Sequence, residues 1–296
     1  MISKPVKLAL QLVISVGLIV FIARQIDLEQ ARALLARGAG WGWVSVWLLL
    51  ALAVFNLSRV AGALRLNVYQ RQAGVILGAW ENLRLYYAGM FLNMFLPGGI
   101  GGDGYKILVL RRRQAASVGK LFRILLTDRV SGLLVLLMLF CPLLWRLDLP
   151  WQPALVTFAA VALLLSAALA FVVVHALWFP LAKAVLGSVF AYGMAVQLLQ
   201  LSCMAALLAF LQVAPAHYLA YLAIFLLSSV AAVLPLSFGG LGAREVTFFF
   251  GLDLLHLEPT QGVLAASAFF LITLVSSLPG SVFLRGFGLG AGVRQA

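Results

Sequence analysis

Charge is scarce in this sequence, and acid is scarcer still. Nine of the 296 residues are Asp or Glu and 21 are Lys or Arg; 10% are charged and 64% hydrophobic. Soluble domains carry about 25% charge and about half apolar residues, so a water-soluble globular class is excluded. The two cysteines, Cys141 and Cys203, lie within apolar runs without metal or redox spacing and read as core filler. His175, His217 and His256 are far apart in sequence, which leaves no histidine-based metal cluster, and no metal or other cofactor is expected. No GxSxG, HExxH or Walker pattern occurs. The stretch Gly99–Gly104 matches GxGxxG in form, but it follows an apolar run and a proline where a dinucleotide site requires a strand. No period-two alternation is present, which excludes a transmembrane barrel.

Long apolar runs take the place of these absent features. Leu149–Val174, Ala184–Ala216, Tyr218–Ala243 and Pro259–Leu284 are uncharged and each reaches the ~20 residues that cross a bilayer. Leu8–Ala23, Trp41–Leu64 and Leu121–Trp145 are further candidates. The basic start at Lys4 and Lys7 followed by an apolar stretch reads as a retained signal anchor, since no convincing cleavage site follows. Trp41, Trp43, Trp47, Trp145 and Trp151 fall where interfacial anchors are expected.

Basic residues orient the runs. Lys106, Arg111, Arg112, Arg113, Lys120 and Arg123 cluster between Asp103 and Arg123, a cytoplasmic signal by the positive-inside rule, and Lys4 and Lys7 place the amino terminus on the same side. Trp41–Leu64 then returns to a cytoplasmic loop holding Arg65, Arg71 and Arg84. A full crossing between Arg84 and Gly102 would turn the basic cluster outward. A hairpin entering and leaving on one side removes the conflict.

Two nearly matching phrases suit such hairpins. In the first, Pro97 is followed by Gly98, Gly99, Gly101 and Gly102; in the second, Pro235 is followed by Gly239, Gly240 and Gly242. Proline removes an amide donor and glycine admits unusual backbone angles, and irregular backbone at membrane depth needs protein or a watery cavity around it. The expected fold is therefore an all-α polytopic membrane protein. It has about six full spans plus two opposed re-entrant helical hairpins in an inverted repeat, with halves at roughly 41–145 and 184–285 of one domain spanning 1–296. Both termini are cytoplasmic on this topology. Opposed halves with broken helices are a recurrent transporter plan. The competing reading of the glycines is close helix packing, since Gly98-x-x-x-Gly102 fits the small-xxx-small pattern.

Charge at membrane depth demands a reason, because insertion scales set its cost at about 2.5–3.5 kcal/mol. Asp128 and Arg129 lie about ten residues into a helix beginning near Ser117. Adjacent residues diverge by about 100°, so their partners belong to other elements, with Asp103, Arg244 and Glu245 as candidates. Arg244 and Glu245 open a new helix after the second glycine cluster, where free amides and an arginine suit phosphate or carboxylate. Asp103 and Lys106 hold the corresponding place after the first, and Asn93 opens that phrase. The candidate binding set is Arg129, Arg244, Asp103, Lys106, Asp128, Glu245 and Asn93. Against it stand Asp103 as a helix cap, Arg129 as a structural residue, and Arg59 as a side chain snorkelling to the cytoplasmic edge. No catalytic residue emerges. No nucleic-acid partner is expected.

Three ordered blocks carry a family resemblance: FLNMFLPGGIGGD at Phe91–Asp103, DRVSGLL at Asp128–Leu134 and PLSFGGLGARE at Pro235–Glu245. The chain resembles the lysylphosphatidylglycerol synthase transmembrane family, the flippase-like group also called UPF0104. That family includes the lipid-translocating part of bacterial multiple peptide resistance factors, which moves aminoacylated phosphatidylglycerol between leaflets. Those factors carry a soluble aminoacyl-transferase domain after the membrane part. This sequence ends just past its last expected span, so synthesis of lysylphosphatidylglycerol is not expected.

Other relatives are linked to glycan assembly, which implies a polyprenyl-phosphate or glycolipid substrate. The expectation is a bacterial inner-membrane transporter of a lipid with an anionic phosphate headgroup, with an envelope-synthesis protein as a further partner. The alternatives are a membrane-embedded enzyme or accessory subunit of envelope glycolipid synthesis, and a partner-stabilising scaffold.

Overall fold

A computed structural model describes residues 41–95, 101–114, 116–178, 183–233 and 242–287. The described residues form helices α1 (Trp41–Gln72), α2 (Ala79–Phe95), α3 (Gly101–Gln114), α4 (Val118–Leu144) and α5 (Pro153–Trp178). After these come α6 (Lys183–Phe210), a 3-10 turn at Pro215–His217, α7 (Tyr218–Val233), α8 (Ala243–Leu254), α9 (Pro259–Ser277) and α10 (Pro279–Gly286). Among these residues six stretches are long and apolar enough to cross a membrane: Val46–Gln72, Val118–Leu144, Pro153–Trp178, Val185–Phe210, Pro215–Val233 and Pro259–Gly286. The protein is a multi-pass all-helical membrane protein.

The set differs from the expected one at two places. Leu8–Ala23 lies outside the described residues, and Pro215–Val233, part of the run Tyr218–Ala243 that leads into the second glycine phrase and was expected to form a hairpin with it, is long enough to cross unaided. Pro97, Gly98, Gly99, Pro235, Gly239 and Gly240 also lie outside the described residues.

Local sequence explains the helix ends. Ser117 caps α4, its hydroxyl accepting the Lys120 amide at 3.3 Å, which satisfies one of the four donors a helix start leaves open. Glu258 does the same for α9 through the Thr260 amide, with Pro259 at the first helical position, where a missing amide hydrogen costs nothing.

The two broken stretches are antiparallel helix pairs. In the first, the Asn93 side chain accepts the Gly102 amide at 2.7 Å, and near the opposite end Arg113 pairs with Glu81. Gly102 is pressed so closely on α2 that a Cβ there would lie 1.9 Å from the Gly89 carbonyl oxygen. At that position the absence of a side chain permits the close approach of α2 and α3. In the second pair, α8 lies against α7 through Gly251 on Ile224 and Arg244 on Ser228 and Ser229. The short α10 lies across α2, Gly280 resting on the Tyr87 backbone.

Buried apolar side chains form two clusters. One joins α7, α8 and α9 to the end of α6 and the first half of α1, around Phe55, Phe225, Phe248 and Phe269. The other joins α2 to α5 and the second half of α1, around Leu66, Tyr69, Leu121 and Ile124. Helix α1 belongs to both. Two of its three arginines, Arg59 and Arg65, fall between Phe55 and Leu66, where one cluster gives way to the other.

Candidate functional site

A cavity of about 290 Å³ opens at that boundary. Arg59 and Arg65 reach it from α1, Asn93 from α2, Asp103 and Lys106 from α3, Asp128 and Arg129 from α4, Gln197 and Gln200 from α6, and Arg244 from α8. Arg59 is midway along the apolar stretch Val46–Gln72, thirteen residues from either end, which at 1.5 Å per residue is about 20 Å. The cavity therefore sits deep in the helical bundle, where a charge is costly unless paired.

Two ion-pair systems line it. Arg65 donates from Nε to Asp128 Oδ1 at 2.8 Å and from Nη2 to the Asp128 carbonyl at 3.0 Å. Both side chains are about nine-tenths buried. The guanidinium reaches Asp128 because Gly132 has no side chain; a Cβ there would stand 3.0 Å from both Nη atoms. Gln197 donates to the Gly132 carbonyl at 3.2 Å, tying α6 to the same turn. The second system centres on Asp103, which accepts Arg129 Nε at 2.5 Å and Lys106 Nζ at 3.4 Å. Lys106 also lies over the Tyr86 ring at 4.7 Å.

The remaining two cations rest on aromatic rings. The Arg59 guanidinium sits 4.6 Å from the Phe55 ring centre and donates to Ser58 Oγ from Nε and Nη2. Arg244 lies 5.2 Å from Phe225 and 4.8 Å from Phe269 and donates to the Ser228 and Ser229 hydroxyls at 3.2 and 2.9 Å. Phe269 packs edge-on against both Phe55, at 5.5 Å, and Phe225, at 4.8 Å. One connected aromatic floor thus carries both arginines, each held by cation–π attraction and hydroxyl acceptors.

Of the seven residues expected from sequence, Arg129, Arg244, Asp103, Lys106, Asp128 and Asn93 line this cavity, and Glu245 does not. The Glu245 carboxylate folds back to its own helix start, accepting the Gly242 amide at 2.8 Å, while Ser267 donates to it at 3.5 Å. It occupies the helix end that sequence reasoning left open for a ligand, and it can do so because Gly242 adopts φ of 87°, a conformation that glycine adopts readily.

Other expectations change as well. Arg65, placed by sequence in a cytoplasmic loop, is helical and buried because α1 continues to Gln72. Arg59, for which snorkelling to the cytoplasmic edge was the competing reading, lines the cavity. Lys106, counted among loop charges, is buried, whereas Arg111, Arg112, Arg113, Lys120 and Arg123 are exposed. Asp103 is paired with Arg129, as anticipated, but the partner of Asp128 is Arg65. Gln197 and Gln200 were missed; the signal for all of these was a polar residue within an apolar run.

Long apolar helices gathered around a charge-lined cavity define a polytopic membrane protein with a polar site among its helices. Within that class, the chain belongs to the family described as the lysylphosphatidylglycerol synthase TM region, which matches residues 8–188. The match covers more than half the chain and ends in α6, before Arg244. No curated protein matches this sequence.

Proposed function

We propose that this protein is a flippase-like transporter, not an enzyme, that moves a lipid with an anionic phosphate headgroup between the leaflets of a bacterial inner membrane. The lipid is a phospholipid or a lipid-linked glycan precursor. The observation that carries the reading is the cavity itself: five cationic side chains from α1, α3, α4 and α8 around two carboxylates, deep in an otherwise apolar bundle. Apolar lipid tails have no need of such a site, whereas a phosphate group does, and guanidinium forks match its oxygens. In this reading α2–α3 and α7–α8 are re-entrant hairpins entering from opposite faces, the two halves form an inverted repeat, and both termini are cytoplasmic. The antiparallel packing within each pair supports it.

An envelope-synthesis protein that delivers or consumes the lipid is the natural partner. Asp103 is committed to Arg129 and Lys106, which suits charge balance better than general-base work. The test is mass spectrometry of lipids retained by the purified wild-type chain and by Arg129→Ala and Arg244→Ala. One anionic lipid enriched over the bulk membrane and lost in both variants is expected. A retained pool identical to bulk lipid in all three proteins would overturn the proposal in favour of an enzyme accessory or scaffold.

A further inference from the structure

The cavity holds more positive charge than its own carboxylates balance. Arg59, Arg65, Lys106, Arg129 and Arg244 converge on it, with Asp103 and Asp128 between them and Glu245 beside Arg244 at the α8 start. Even with Glu245 counted, five cations face three carboxylates, an excess of two. The excess is localised. Arg65 is paired with Asp128, and Lys106 and Arg129 share Asp103. Arg59 and Arg244 have no carboxylate within ion-pair distance among the described residues; hydroxyls and the Phe55–Phe269–Phe225 floor hold them instead. The chain segments that join α2 to α3 and α7 to α8, residues 96–100 and 234–241, contain no Asp or Glu.

We infer that the cavity selects a lipid headgroup bearing two or more negative charges at one phosphate site, a phosphomonoester or a diphosphate. This inference rests on the phosphate-lipid reading above. A phosphomonoester carries about −1.5 to −2 at neutral pH and presents three oxygens to the two arginines. A phosphodiester such as phosphatidylglycerol supplies one negative charge and leaves one arginine uncompensated at depth. A lysyl ester of that lipid brings two ammonium groups into a cavity that is already positive, where like charges repel strongly. The cavity volume, about 290 Å³, is at the small end for ligand pockets and suits a headgroup with its chains left among the helices or in the bilayer.

The experiment is isothermal titration of the purified full chain in detergent with five probes. These are dihexanoyl phosphatidic acid, farnesyl diphosphate, dihexanoyl phosphatidylglycerol, its lysyl ester and inorganic diphosphate. The phosphomonoester and diphosphate lipids, each carrying more negative charge than a phosphodiester, should bind at least about tenfold more tightly than either phosphatidylglycerol form, since a charged hydrogen bond is at stake. Farnesyl diphosphate should exceed inorganic diphosphate by a similar factor.

Arg59→Gln and Arg244→Gln should each erase the preference, and Arg59→Lys should retain it. Neither Gln variant strands a paired carboxylate, and a preserved unfolding temperature separates lost binding from lost fold. Equal or tighter binding of phosphatidylglycerol or its lysyl ester would overturn the charge class while leaving the phosphate-lipid reading intact. Inorganic diphosphate binding as tightly as farnesyl diphosphate would overturn the lipid source. Failure of all five probes to bind would overturn both readings.

Discussion

Gly102→Ala tests whether the close antiparallel packing of α2 and α3 positions the site. A Cβ at residue 102 would lie 1.9 Å from the Gly89 oxygen, 2.5 Å from its carbonyl carbon and 2.8 Å from its Cα. All three are backbone atoms of a helix and have no rotamer to escape into. Carbon and oxygen tolerate about 3.3 Å, so the helices must part by about 1.4 Å. That displacement takes the bond from the Gly102 amide to Asn93, 2.7 Å long, beyond hydrogen-bond range. It also moves Asp103 and Lys106, on the same turns of α3, relative to Arg129. Overpacking costs about 1–3 kcal/mol and the lost hydrogen bond about 1 kcal/mol more, giving a destabilisation of about 2–4 kcal/mol.

Gly104 provides the control, because a Cβ there meets nothing within 4 Å. Gly104→Ala replaces an open helical glycine and should stabilise by about 1 kcal/mol. Thermal unfolding of the purified chain in detergent should rank Gly104→Ala at or above wild type and Gly102→Ala several degrees below, with retained lipid reduced only in Gly102→Ala. Indistinguishable unfolding temperatures for the two variants would refute the packing argument.

The pair of Arg65 and Asp128 should behave as a unit: Arg65→Met or Asp128→Leu alone leaves a buried charge without its partner and should cost about 3–5 kcal/mol, whereas the double variant should be near neutral. A double-mutant cycle on unfolding measures the coupling, and strict additivity would show that the two charges do not depend on each other. Gly132→Ala places a methyl 3.0 Å from both Arg65 Nη atoms, and the guanidinium must shift by a few tenths of an ångström. It should cost about 1 kcal/mol and reduce lipid retention, and an unchanged lipid profile would argue against a role for Arg65 at the site. One turn along α1 from Arg65, His175 Nδ1 donates to the Phe171 carbonyl at 2.6 Å, so its Nε2 accepts from the Tyr69 hydroxyl, also at 2.6 Å. Tyr69→Phe removes that buried donor and should cost about 1–3 kcal/mol, read from the unfolding temperature; no loss would mean that water replaces the hydroxyl.

Much of this protein was determined by the sequence alone, because the physics involved is local. Uncharged runs of bilayer length have no stable place in water, so membrane helices followed from run length. Helix-breaking chemistry at Pro97 and Pro235 followed from the backbone, and the described parts of α2 and α7 end at Phe95 and Val233, before those prolines. The expense of charge at depth singled out Asp128, Arg129, Asp103 and Arg244 before any contact was known. What could not be read locally was decided by tertiary structure. Arg65 looks like a loop charge until α1 is seen to run on to Gln72 and Asp128, 63 residues away, closes on it. Arg59 looks like a snorkelling side chain until Phe55, Phe225 and Phe269, from three helices, meet as one floor beneath it and Arg244. Glu245 has the right chemistry for the site, yet a positive φ at Gly242 lets it satisfy its own helix end. Spacing along the chain fixes which residues are costly to bury; only packing between helices fixes which of them offset one another and which are left to face a ligand.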